Sequence, residues 1–119
     1  DSLMWDICQN DISKVNGLTS FDAMRKGDKA AKELVSEYLD YVSCGIIDLI
    51  VMLQPEILCI GGAISKEKNY LLDPVIKNYE KEKFTVKKEN DTIITTAKLG
   101  GDAGIIGSAL LGIQKKRYL

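Results

Sequence analysis

Two clusters of glycine are the residues of this chain best placed to serve a ligand. In the first, "ILCIGGAIS", Ile57, Leu58, Cys59 and Ile60 run directly into Gly61 and Gly62, followed by Ala63, Ile64 and Ser65. Glycine has no Cβ, so the backbone can take positive φ and let a planar ligand come close. If the apolar run is a strand of an open α/β sheet, Gly61-Gly62 stands at its carboxyl end, where such sheets hold ligands. A helix starting soon after would offer N–H donors to an anion. The plain alternative is a βα turn that serves only the fold. A dinucleotide fingerprint is not formed, for want of a third glycine at the right spacing, and no GxxxxGK[ST] phosphate loop is present. In the second cluster, "LGGDAGIIGSALLG", Gly104, Gly107, Ser108 and Gly112 fall close together on a helical wheel. That predicts a small-residue face packed tightly against a strand or helix. Asp102 suits an N-cap better than a catalytic role.

Other chemistries lack their residues. There is no histidine, and Cys8, Cys44 and Cys59 are an odd number of distant cysteines without a CxxC pair. Neither a zinc cluster nor a histidine-based triad can be assembled from this set. The cysteines read as reduced, buried thiols of a cytoplasmic protein. The net charge of −1, with 45% apolar and 28% charged residues, is ordinary for a globular domain and offers no electrostatic footprint for nucleic acid or a membrane surface. "CGIIDLIVML" is too short to span a bilayer and is interrupted by Asp48. No signal peptide is recognisable at the start, and the first residue is Asp1, which suggests a piece of a longer protein.

The elements that would position the glycines follow from periodicity. Residues 1–18 read as an irregular arm or a short helix. "TSFDAMRKGD" predicts a short helix capped by Thr19 or Ser20 and stopped at Gly27. Asp28 then caps the longest helix, with an apolar stripe through Ala31, Leu34, Val35, Tyr38, Leu39, Val42, Ile46, Leu49, Ile50 and Leu53. Its second half should be the more deeply buried. Gly45 within it costs about 1 kcal/mol relative to Ala, which a close neighbouring backbone would explain. Pro55 ends the helix and pushes Gln54 towards extended geometry. "EILCI" reads as a central parallel strand buried on both faces. "YLLDPVIKNYEKE" gives a helix with Leu71, Leu72, Val75, Ile76 and Tyr79 on one face, beginning close to Pro74. A charged connection, with Phe84 and Val86 as its large apolar residues, leads to the strand "TIITTAKL". A last helix follows, with Lys115, Lys116 and Arg117 at its carboxyl end, where cations suit the macrodipole. The class is α/β: residues 19–53 helical and residues 54–119 a βαβα unit, all within a single fragment spanning 1–119. The strand–helix–strand part has the length of one right-handed βαβ unit. Two strands alone are marginal, so the sheet should continue elsewhere, in further chain or in a partner.

Together, "GD" before the long helix, "LQPEILCIGGAIS" and "LGGDAGIIGSALL" resemble the C-terminal part of the ROK family, the repressor, open-reading-frame and kinase proteins that include bacterial glucokinases. The resemblance runs over roughly residues 18 to 113. It implies an actin-like, ribonuclease H-like ATPase fold in which the Gly-Gly after the strand lies against the adenosine of ATP. By position this assigns nucleotide contact to Gly61 and Gly62, with Ala63 and Ser65 nearby; Ala63 stands where the family usually has another small glycine. The family's DxGxT phosphate loop, catalytic aspartate, sugar-binding residues and cysteine-rich zinc motif belong upstream of the matched part, and this chain carries none of them. The resemblance therefore implies the C-terminal fragment of an ATP-dependent, Mg²⁺-requiring kinase of a glucose-like hexose, inactive alone, cytoplasmic and dimeric in its intact form. No catalytic or metal-binding residue is assigned within this segment. Two alternatives stay open: the sugar-sensing or dimerisation part of a ROK-family repressor, and a non-catalytic helical association module that self-associates through the apolar half of the long helix.

Overall fold

The computed structural model describes residues 2–83 and 91–114. It runs α1 (Leu3–Ile7), a 3₁₀ turn (Ile12–Lys14), α2 (Thr19–Arg25), α3 (Lys29–Leu53), β1 (Ile57–Ile60), a 3₁₀ turn (Ala63–Glu67), α4 (Asn69–Glu82), β2 (Ile93–Thr96), a 3₁₀ turn (Gly100–Asp102) and α5 (Ala103–Gln114). The two strands are parallel, in the register Ile57 to Ile93 through Ile60 to Thr96. Phe84, Val86, Lys115, Lys116 and Arg117 lie outside the described residues.

Helix α3 is the spine. Asp28 caps it as predicted, its Oδ1 accepting from the Ala31 N–H at 2.7 Å. That bond first, and then the Leu3 N–H, hold the Asp28 carboxyl below the usual carboxylate range. Part of the predicted stripe packs as a cluster: Val35, Leu39, Ile46 and Ile50 of α3, with Ile47 beside them, meet Phe21 of α2, Leu71, Val75 and Tyr79 of α4, and Ile94 of β2, whereas Leu34, Tyr38, Leu49 and Leu53 of the stripe are exposed. Full burial of each such aliphatic side chain is worth about 1.5–3 kcal/mol. Polar links align the layers. Asn78 donates to Asp40 Oδ1 (2.9 Å) and Ser43 Oγ (3.2 Å), and Thr92 Oγ1 donates to the Pro55 carbonyl at 2.7 Å.

Several expectations are corrected. The N-cap of α2 is Leu18, with no side-chain cap bond, because Thr19 Oγ1 instead accepts from the Asn16 N–H at 3.0 Å. Gly27 does end this helix, at φ +89°. The later half of α3 is not wholly buried: Leu49, Val51, Met52 and Leu53 are exposed, because the core cluster covers one side of it only. Gln54 is left-handed rather than extended (φ 44°, ψ 52°), since its N–H closes the helix on the Ile50 carbonyl at 2.8 Å. A Cβ at Gly45 would meet nothing within 4 Å, so no close backbone explains that glycine among the described residues.

Strand β1 is covered on one face, not two. Leu58 and Ile60 pack against the core, while Ile57 and its register partner Ile93 are 59% and 60% exposed. Alternation sends successive side chains to opposite faces, and no layer covers the second face among the described residues. For the same reason Cys59 is exposed; Cys44 on α3 is exposed too, and Cys8 alone of the three is buried. Helix α4 begins at Asn69, five residues before Pro74. Pro74 has no N–H for the Tyr70 carbonyl, and Tyr70 lies on the exposed side, where water can take that carbonyl. The small-residue face of α5 finds no tight partner among the described residues: a Cβ at Gly104 or Gly107 would meet none of them within 4 Å, and Ile105 and Leu111 are exposed.

Candidate functional site

The two glycine clusters lie side by side. Because β1 and β2 are parallel, their carboxyl ends point the same way, and each runs into a glycine-containing turn. The Ala97 N–H donates to the Ile60 carbonyl at 2.9 Å, which carries the pairing to the rim. Beyond it, the 63–67 turn packs against the 100–102 turn. This strand-end edge is where open α/β sheets receive ligands.

Gly61 and Gly62 are exposed, and a Cβ built on either meets nothing within 4 Å. Among the described residues, the space in front of them is open. Gly62 has φ 82° and ψ −170°, a conformation that is essentially restricted to glycine. Its carbonyl accepts from the Ser65 N–H (3.2 Å) and from Ser65 Oγ (2.7 Å), which folds the chain into the 3₁₀ turn. Ser65 is 5% exposed, so its hydroxyl faces the turn and not solvent. Of the four residues expected at the site, Gly61, Gly62 and Ala63 are thus presented outward, and Ser65 shapes the loop that presents them.

Ala63 and Ile64 form one wall of a groove of about 580 Å³ whose other walls are Asn16, Gly17, Leu18, Ser20 and Phe21 before and on α2, and Leu34 and Tyr38 on α3. Phe21 and Tyr38 meet edge to face, ring centroids 6.3 Å apart at 87°. The volume is that of a small-molecule site, and the lining is mostly apolar with a few polar groups, as such sites require. The α2 and α3 walls escaped sequence reasoning. Tyr38 and Leu34 share the periodicity of the core stripe, yet both are substantially exposed at the groove.

A second cluster fixes the far end of the turn. The Glu67 side chain, 5% exposed, pairs with Arg25 from α2, and the same guanidinium pairs with Asp22. These bonds, Asp22 first and Glu67 second, raise the Arg25 pKa further above its already high value. Its Cζ lies over the Tyr70 ring, 5.7 Å from the centroid. Nothing in the residue spacing signalled this pair, whose members are 42 positions apart. Among the described residues no group of three or more His, Cys, Asp or Glu could hold a metal ion. No described helix is long and apolar enough to cross a membrane.

The ROK family model matches residues 6–115. A glucokinase of Streptomyces coelicolor is 29% identical over 87 residues, 73% of this chain and 27% of its own length. An N-acetylmannosamine kinase of Haemophilus influenzae is 32% identical over 89 residues, 75% of this chain and 28% of its own length. Among solved structures, a ROK family glucokinase from Streptomyces griseus, in complex with glucose and AMPPNP, superposes with a TM-score of 0.77 and 26% identity, over 92% of this chain and 35% of that one. The chain spans about a third or less of the length of these relatives.

Proposed function

Since the chain belongs to the ROK family, with the actin-like, ribonuclease H-like ATPase fold of the matched glucokinase, we propose that it is the C-terminal part of an ATP-dependent sugar kinase and holds the adenosine end of the nucleotide. The observation that carries this reading is the joint placement of both glycine motifs at the carboxyl ends of two parallel strands, with open space before Gly61 and Gly62. In this reading Gly61 and Gly62 let the adenosine approach the backbone. Ala63 and Ile64 form one side of the base site and Phe21, Leu34 and Tyr38 the other. Ser65 holds the turn through the Gly62 carbonyl. The aspartate that takes the sugar hydroxyl proton, the phosphate loop and the sugar-binding groups come from the rest of the enzyme. Mg²⁺ travels with the nucleotide phosphates, and we assign it to no residue of this chain. A glucose-like hexose is the substrate class, and the intact protein is a cytoplasmic dimer. The kinase reading is preferred to a sugar-sensing repressor domain because the matched relatives named above are kinases.

The test is ATP-dependent phosphorylation of glucose and of N-acetylmannosamine by the intact protein, with the 119-residue chain as control. The intact protein is expected to transfer phosphate and the isolated chain to be inactive. Activity in the isolated chain, or none in the intact protein with either sugar, would refute the assignment.

A further inference from the structure

We propose that Arg25 and Glu67 are positioning residues for nucleotide binding: their ion pair sets the width of the groove by tying the glycine turn to the opposite wall. The proposal rests on the reading of that groove as the adenosine site. The groove has two sides, and they belong to different elements. One is the 63–67 turn, through Ala63 and Ile64; the other is the segment leading through α2, with Leu18, Ser20 and Phe21, together with α3. Glu67 is the last residue of the turn and Arg25 the last residue of α2. The bond between them is thus a strap from one side of the groove to the other.

The surroundings make the strap specific. The Glu67 carboxylate is buried, so leaving it without Arg25 strands a charge in a dry site. Arg25 uses separate nitrogens for Glu67 and Asp22, and its Cζ lies over the Tyr70 ring of α4. One guanidinium thereby joins α2, the turn and the start of α4. A lysine ammonium is a point charge without the planar fork that lets one guanidinium serve both carboxylates from separate nitrogens. The other side-chain bond fixing the turn, Ser65 to Gly62, is local and says nothing about where the turn sits relative to α2. The backbone next to the strap is strained: Lys68 has φ 48° and ψ −115° without being glycine. Such a conformation persists only where neighbouring interactions hold it, and here the Glu67 strap adjoins it on one side while the Leu71 and Leu72 N–H groups bond the Lys68 carbonyl on the other (3.1 and 2.8 Å).

The experiment compares Glu67→Gln, which keeps size and removes charge, and Arg25→Lys, which keeps charge and removes the fork, in the intact kinase. ATP KM, sugar KM and kcat are measured at saturating partner substrate, alongside the thermal midpoint. Both variants are expected to raise ATP KM roughly tenfold, with sugar KM and kcat within about twofold. The double variant Arg25→Lys/Glu67→Gln is expected to be no worse than the poorer single one, because both remove one interaction. If the unaltered protein saturates with ATP and both variants keep its ATP KM, whatever happens to the thermal midpoint, the pair is merely structural and the inference falls. If the unaltered protein uses no ATP at all, the adenosine reading falls first and takes the inference with it.

Discussion

Substituting the two adjacent glycines separately should divide ligand contact from backbone geometry. Gly61 lies outside the left-handed region and a Cβ there meets nothing within 4 Å. Gly61→Val therefore adds bulk to open space without backbone strain. Its expected effect on folding is within about 0.5 kcal/mol, as for exposed positions generally. If the adenosine occupies that space, the added isopropyl group overfills the contact. Overpacking costs about 1–3 kcal/mol, which raises ATP KM roughly 5- to 150-fold. Gly62→Val reverses the balance. At φ 82° and ψ −170° a β-branched residue is held in glycine-only geometry, at roughly 1–3 kcal/mol of strain. That should appear as a lowered thermal midpoint, by a few degrees per kcal/mol. The assay is coupled-enzyme ATP kinetics of the intact protein, paired with thermal unfolding of each variant. The reasoning is refuted if Gly61→Val leaves ATP KM within about twofold of the unaltered protein while its midpoint is unchanged. A plain turn would then be the whole role of these glycines.

Three further outcomes rest on the fold. Lys68→Gly should stabilise the protein by roughly 1 kcal/mol, because it relieves the backbone at φ 48° and ψ −115°; chemical denaturation showing a loss instead would mean that the side chain, not the backbone, decides there. Leu71→Ala, at a fully buried position of the core cluster, should lose about 2–5 kcal/mol by urea titration, and a loss below 1 kcal/mol would mean that α4 is not packed as described. Asp28→Asn should lower the thermal midpoint at neutral pH, with the deficit closing in acid. Its folded-state pKa is depressed by the Ala31 and Leu3 N–H groups. The stabilisation is therefore full above the ordinary value of 3.8 and is lost as pH falls below it through the lowered folded value. A gap between the two midpoint curves that stays constant with pH would contradict this role.

Much of the scaffold could be read from local signals. Asp28 as cap, the Val35, Leu39, Ile46 and Ile50 part of the α3 stripe, the parallel strands and the position of Gly61-Gly62 at a strand end all follow from spacing or turn chemistry, which act within a few residues. What could not be read depends on what lies across the fold. β1 looked buried on both faces because four apolar residues in a row are uninformative about sidedness; the register with β2 shows Ile57 and Ile93 sharing an open face. The missing N–H of Pro74 predicts a helix beginning close to it, yet α4 starts five residues earlier and tolerates it. The α2 and α3 side of the groove was hidden because Leu34 and Tyr38 follow the same periodicity as their buried neighbours. Arg25 and Glu67 were invisible for a simpler reason: a surface-type charge pattern does not say which partner a side chain finds 42 residues away.

The backbone of the glycine turn adds a physical argument to the family match. The 63–67 turn is bracketed by two left-handed residues, Gly62 at φ 82° and Lys68 at φ 48°. Gly62 carries this geometry without penalty; Lys68 does not, and at that position glycine would be the less strained choice. A connection whose only task is to join β1 to α4 gains nothing from retaining such strain, because a relaxed turn of similar length would serve equally. Strain of this kind collects where a chain must present itself in one shape. Here the shape is fixed from three directions: Ser65 on the Gly62 carbonyl, the Glu67–Arg25 strap, and α4 starting on the Lys68 carbonyl. A loop so determined, lying beside an open approach to two glycines, is organised before any ligand arrives, which is the condition for binding without a large ordering penalty. A direct check is hydrogen exchange at Ala63–Glu67 in the intact protein without nucleotide. Protection comparable to that of β1 is expected, and exchange as fast as at an exposed loop would mean that the turn is not held in one shape.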